Sequence, residues 1–92
     1  MTLLSEEEIT TALGTLREWA RSGDSITATV ELADFREAML FTGAVAYLAE
    51  TANHHPDIAI SWNKVTLHLV SHSAGGLTAK DFALARQISE LG

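Results

Sequence analysis

The chain reads as an α+β domain: an antiparallel β-sheet of about four strands with three helices packed on one face. Two patterns predict this. Ser5-x-x-Glu8, Asp34-x-x-Glu37 and Thr78-x-x-Asp81 each set a capping oxygen three residues before a carboxylate, the start signal of a helix. Between these starts the apolar period changes from helical to two, as in half-buried strands. Helices on one face of an antiparallel sheet are the economical way to bury such elements.

After the first cap, Ile9, Leu13, Leu16 and Ala20 recur at helical spacing and Gly23 ends the pattern. A short strand around Trp19 to Arg21 competes for the end of that helix. Ile26, Ala28, Val30 and Leu32 alternate with Thr27, Thr29 and Glu31, which makes a strand. The second helix, Phe35 to Thr51, carries two apolar stripes, one of Phe35, Met39, Ala46 and Ala49 and one of Ala38, Phe41, Val45 and Leu48. A helix apolar around most of its girth is buried on several sides. In so small a domain the second side is expected to meet another subunit, a well-covered helix in a monomer being the plainer reading. Ile58 to Trp62 reads as a shorter strand, joined through Asn63-Lys64 to Val65, Leu67 and Leu69, which alternate with Thr66, His68 and Val70. Leu84, Ile88 and Leu91 mark the last helix.

At 92 residues and 47% hydrophobic content, positions 1–92 form a single domain. Six Lys and Arg against twelve Asp and Glu leave a net charge of −6, which argues against binding nucleic acid or anionic lipid. With 20% charged residues and a slightly positive mean hydropathy, the composition is not that of a disordered tail. Without cysteine there is no disulfide framework, thiolate zinc site or cysteine nucleophile. Met1-Thr2-Leu3-Leu4-Ser5-Glu6-Glu7-Glu8 turns acidic at once, unlike a secretory signal. The charge-free stretch between Glu37 and Glu50 is twelve residues, short of the about 20 that span a membrane. The expectation is a soluble cytoplasmic domain.

Four histidines carry the chemical signal. Asn53-His54-His55-Pro56-Asp57 falls where the second helix ends, and His72 follows the last strand, just before Ser73-Ala74-Gly75-Gly76. His68 lies inside that strand and reads as a plain strand residue. On a helix His68 and His72 would share a face suited to zinc; on a strand they stand about 13 Å apart at ~3.3 Å per residue, too far to share an ion. His54 and His55 are adjacent and diverge, so the pattern reads against a metal site. Acid–base chemistry fits better, because an imidazole titrates near neutrality and both donates and accepts a proton with little bias. Two loop-borne histidines at a sheet edge could serve both ends of a proton-coupled elimination. Asp81 either completes a helix cap, worth about 0.5–2 kcal/mol, or orients a histidine. Glu50, one helical turn before His54, either supports that imidazole or faces water. Serine catalysis finds little support around Ser71, and Gly75-Gly76 reads as a turn, lacking the spacing of a phosphate loop.

Glu50, three residues, His54-His55-Pro56, five residues, Trp62, nine residues, His72, eight residues and Asp81 form a spacing that resembles the motif of the pterin-4a-carbinolamine dehydratase family. Asp34-Phe35 with Ala38, Asn63-Lys64-Val65 and Gly76-Leu77-Thr78 agree with it, and the resemblance runs from the first helix to Leu91. Ser71 stands where relatives usually carry threonine, which keeps the hydroxyl, and the segment between Trp19 and Ile26 is short beside animal relatives.

The resemblance implies a dehydratase that converts 4a-hydroxytetrahydropterin to quinonoid dihydropterin and water, recycling the cofactor of aromatic amino acid hydroxylases. It implies no metal or organic cofactor, and assembly as a homodimer or homotetramer. By resemblance His54 and His72 are the proton-transfer residues and His55, counted with them as catalytic, mainly holds the pterin. Glu50 and Asp81 would orient imidazoles or meet polar ring atoms, and Asn53 with Val70, Ser71, His72 and Ser73 would line the pterin edge. Trp62 would be a wall or a packing residue. The alternatives are a non-catalytic pterin-binding module, a protein-dimerisation module like the animal relatives that partner a homeodomain transcription factor, and a related pterin enzyme of molybdopterin metabolism.

Overall fold

A computed structural model describes residues 2–91; Met1 and Gly92, the ends of the single-domain expectation, lie outside the described residues. In chain order the elements are α1 (Glu6–Leu13), β1 (Ala20–Ser22), β2 (Ser25–Glu31), α2 (Phe35–Ala52), β3 (Asp57–Ser61), β4 (Lys64–Leu69) and α3 (Ala79–Ser89), with a 3₁₀ turn at His72–Ala74 before α3. The strands lie in the order β1-β2-β4-β3 and every neighbouring pair is antiparallel. This is the α+β arrangement that the patterning predicts.

All three expected helix starts form. Ser5 Oγ accepts the Glu8 N–H while the Glu8 carboxylate accepts the Ser5 N–H; Asp34 Oδ1 accepts the Glu37 N–H at 2.8 Å; and Asp81 accepts the Thr78 N–H at 2.8 Å. These bonds satisfy helix N–H groups that have no partner within the helix. Alternation then sorts the sheet. Ile26, Ala28, Val65, Leu67 and Leu69 share one face through the pairs Ile26↔Leu69, Ala28↔Leu67 and Val30↔Val65, and these five are buried. Against them lie Ile9, Ala38, Val45, Ala49, Phe82, Leu84, Ala85 and Ile88. Each fully buried aliphatic side chain contributes about 1.5–3 kcal/mol. The opposite face carries Thr27, Thr29, Thr66 and His68, which suits contact with water.

The first helix is shorter than its periodicity predicts. It stops at Leu13, and Gly14 caps it. Leu16 and Trp19 are buried from the turn that follows, whose i→i−3 bonds run from Thr15 N to Ala12 O and from Leu16 N to Leu13 O. Ala20 already belongs to β1, where it pairs with Thr27. Sheet pairing and burial of Trp19, whose Nε1 donates to Ser89 Oγ at 3.1 Å, outweigh continuation of the helix. Gly23 therefore ends no helix: with Asp24 it makes the two-residue turn between Ser22 and Ser25. Arg21 reaches across to α1 and pairs with Glu6, and that hydrogen bond holds the Glu6 carboxyl below the ordinary carboxylate range. Leu91 likewise lies beyond α3 and is 42% exposed.

The second helix divides as its two stripes suggest, with a different membership. Ala38, Val45 and Ala49 are buried and Phe41 and Leu48 pack against the core. Phe35, Met39, Leu40 and Tyr47 are exposed, Tyr47 at 71%. Nothing within the described chain covers that side. Among the described residues no helix is long and apolar enough to cross a membrane.

Gly23 has φ +62° and occupies the first central position of its hairpin turn, where a left-handed backbone costs an L-residue about 1–2 kcal/mol. No atom stands within 4 Å of a Cβ built there, so backbone strain alone decides the outcome. Gly23→Ala is expected to lower the urea unfolding free energy by about 1–2 kcal/mol while the circular dichroism of the folded protein is unchanged.

Candidate active site

The end of α2 is the first piece of the site. The chain leaves that helix through Asn53, whose φ 52° and ψ 45° are left-handed, a conformation that asparagine tolerates better than most residues. The His54 N–H donates to Ala49 O at 3.0 Å and the Asn53 N–H to Glu50 O at 3.2 Å. This pair of reversed bonds closes a helix in the Schellman manner and fixes where the next residue projects. His54 and His55 are therefore set by helix termination rather than by a free loop.

The adjacent imidazoles diverge, as expected, and each finds its own carboxylate. His54 Nε2 lies 2.6 Å from Asp81 Oδ1, with the His54 side chain 11% exposed and that of Asp81 fully buried. His55 Nε2 lies 2.5 Å from Glu50 Oε2, both largely exposed. Helical spacing offered Glu50 to His54, or left it in water. The structure gives it to His55, because the left-handed Asn53 turns the chain back over the last helical turn.

Asp81 serves both of the roles that the sequence left open. Its Oδ2 accepts the Thr78 N–H at 2.8 Å, capping α3, and the Ser71 hydroxyl at 2.8 Å. Its Oδ1 is left for His54. A buried carboxylate with all its partners met is the form in which such a group is tolerated.

The last piece is the turn after β4. Ser71 bridges Gly76, with the Ser71 N–H donating to Gly76 O at 3.0 Å, and Gly75 closes the 3₁₀ turn at φ +77°. The Gly75-Gly76 pair is thus a turn, as read from the sequence. The bridge lifts His72 and Ser73 out to the surface, opposite the His54 loop.

These pieces enclose an open cleft of about 370 Å³, within the range of small-molecule sites. Asn53, His54, His55, Val70, Ser71, His72 and Ser73 line it, all of them among the residues expected from the sequence. Asp81 stands behind His54 and Glu50 beside His55, and neither carboxylate lines the cleft itself. Lys80 also lines the cleft; the sequence reading missed it, its only signal being that it precedes Asp81 at the start of α3. Trp62 is not brought to the cleft. It sits in the two-residue turn between Ser61 and Lys64, at the other end of β4, about 20 Å from Val70 at ~3.3 Å per residue. Trp62 is 68% exposed with φ 53°, a strained position usually held by glycine. His68 faces a second cleft with Ser22, Asp24 and Ser25, joined to the first through Val70 and His72. Among the described residues no three His, Asp or Glu side chains converge as a metal requires.

This constellation coincides with a family match over nearly the whole molecule. The model of the pterin 4 alpha carbinolamine dehydratases matches residues 2–91. The chain belongs to that family. A protein of Roseiflexus sp. (strain RS-1), provisionally named a pterin-4-alpha-carbinolamine dehydratase, is 54% identical over 90 residues, which is 98% of this chain and 97% of that one. A crystal structure described as a transcriptional coactivator/pterin dehydratase from Brucella Melitensis superposes with a TM-score of 0.94 at 32% identity, covering 98% of each chain. A pterin dehydratase-like protein described as a RuBisCO assembly factor in the alpha-carboxysome shares the fold, with a TM-score of 0.65 at 19% identity over 79% of this chain and 84% of that one. The family fold therefore supports more than one role, and the side chains of the cleft must carry any inference of activity.

Removing the Asp81 carboxylate strips the cap of α3 and orphans the buried Ser71 hydroxyl and Thr78 N–H. Asp81→Ala is expected to lower stability by about 1–3 kcal/mol, the cost of leaving a buried polar group unmet, as read from the urea midpoint.

Proposed function

We propose that this protein dehydrates 4a-hydroxytetrahydropterin to quinonoid dihydropterin and water, recycling the spent cofactor of an aromatic amino acid hydroxylase. The observation that carries this reading is the meeting of His54 and His72 on one cleft, with a buried carboxylate fixing the first of them. The reaction breaks the bond from C4a to its hydroxyl oxygen and the N–H bond of the neighbouring ring nitrogen, and forms a C=N double bond between the two ring atoms. It is redox-neutral. One group must give a proton to the departing hydroxyl and another must take the proton from nitrogen, and imidazoles on two sides of a bound ring are suited to both tasks.

His54 and His72 take the proton-transfer roles in this reading. His55, tied to Glu50, holds the pterin, and the backbone of Val70 to Ser73 with Asn53 lines its edge. Lys80 adds a positive charge where a pterin presents oxygen and nitrogen acceptors. Each of His54→Ala and His72→Ala is expected to lower kcat/KM by about 10²–10⁴-fold, with the fold intact. Stopped-flow dehydration of enzymically generated 4a-hydroxytetrahydropterin checks this, and turnover unchanged in both variants overturns the assignment.

The reading includes a homodimer or homotetramer. β3 is an edge strand exposed throughout, and Ile58 and Ile60, each 36% exposed, turn toward the helix-covered face without being covered. The outer side of α2 adds Phe35, Met39, Leu40 and Tyr47. A free edge and an apolar helix side are what protein surfaces normally blunt or bury. Trp62 can wall a ligand only in a neighbouring copy, since it stands apart from the cleft of its own chain. Leu40→Glu combined with Tyr47→Glu is expected to lower the mass found by sedimentation equilibrium, and an unchanged mass excludes the α2 side as an interface.

A further inference from the structure

We infer that Ser71 is a positioning residue: through Asp81 it holds His54 as the Nε2–H tautomer, so that His54 exchanges protons with a ligand at Nδ1. The inference rests on the dehydratase reading for its catalytic consequence and on geometry alone for the tautomer.

Ser71 lines the cleft, yet the residue is only 3% exposed, and its hydroxyl is committed to buried partners within the protein. Ser71 Oγ stands 2.8 Å from Asp81 Oδ2 and 2.7 Å from Thr78 Oγ1. An ionised carboxylate only accepts hydrogen bonds, and a hydroxyl has one proton to give. The Ser71 proton therefore goes to Asp81, and Thr78 must donate its own proton to Ser71 Oγ. Thr78 Oγ1 in turn accepts the Lys80 N–H at 3.3 Å. Every proton in the chain from the Lys80 amide to Asp81 is thereby assigned, and all of them point toward the carboxylate.

At the far end, Asp81 Oδ2 is taken by Ser71 and by the Thr78 N–H. Oδ1 has one partner, His54 Nε2. Because Asp81 donates nothing, the proton between them belongs to His54 Nε2. The other ring nitrogen makes no hydrogen bond among the described residues. Among the described residues, the only buried side-chain nitrogen or oxygen without a partner is Asn63 Oδ1, so His54 Nδ1 keeps exposed surface, and His54 is a lining residue of the cleft. Two donors on Oδ2 keep the carboxylate from rotating. Without the Ser71 hydroxyl it keeps one, and the buried Thr78 hydroxyl loses its acceptor.

The test uses the full chain with ¹⁵N-labelled histidine. In the unliganded protein at alkaline pH, His54 is expected to show a protonated, pyrrole-type Nε2 and a pyridine-type Nδ1. Ser71→Ala is expected to move both shifts toward the tautomer average and to lower kcat by roughly tenfold or more with little change in KM, as for loss of one hydrogen bond to a charged group. Ser71→Thr, which restores the hydroxyl, is expected to recover both, whereas a role in packing alone would leave the nitrogen shifts in place. Should Ser71→Ala not fold, Ser71→Cys replaces the hydroxyl with a much weaker donor and makes the same comparison. A pyridine-type Nε2 in the unaltered protein, or unaltered shifts and kcat in Ser71→Ala, overturns the inference. Because the shifts are read without substrate, a protein with the Ser71-dependent tautomer but no dehydration supports the positioning and overturns the dehydratase reading alone.

Discussion

Asp81 is a carboxylate with no exposed surface, and such a group is stable only where each oxygen is met by donors. Its partners come from separate parts of the chain. Thr78 belongs to the start of its own helix, Ser71 to the turn after β4, and His54 to the end of α2. The demand to satisfy one buried charge thus fastens together the C-terminal end of one helix, the N-terminal end of another and the loop beside the central strands. The cleft is the gap left between those fastened pieces.

The helices reach that junction with little freedom. The left-handed Asn53 and its two reversed hydrogen bonds fix the direction of the chain beyond α2. The Ser71–Gly76 bridge does the same beyond β4. The side chains of the cleft are placed by backbone hydrogen bonds at element ends, which makes the site rigid although its residues lie in loops. His55 contrasts with this. Its carboxylate partner is exposed, where such a pair contributes little to stability.

The other half of the molecule is organised around what it leaves bare. The sheet spends its apolar face on the helices, but β3 at its edge and the outer side of α2 remain apolar and uncovered. The strained Trp62 turn belongs to this outer region and not to the cleft of its own chain.

Much of this protein is legible in local chemistry. Capping pairs announced all three helices and period-two alternation announced β2 and β4, because both signals involve residues within a few positions of one another; the strand read at Ile58 to Trp62 forms one residue earlier, at Asp57–Ser61, with Trp62 in the turn. The spacing from Glu50 to Asp81 marked the cleft only through its resemblance to a family motif, since its members stand up to 31 positions apart and share no local signal. Where the sequence reading failed, a distant partner decided. The first helix ends at Leu13 because Trp19 reaches Ser89 and Ala20 pairs with Thr27, contacts that no window around Leu13 contains. Glu50 meets His55 and not His54 because the chain reverses at Asn53. Residue types and their order determined the elements, the core and the histidines. Only the tertiary structure decided which carboxylate meets which imidazole and that Trp62 stands apart, since those follow from directions in space that accumulate over the whole chain.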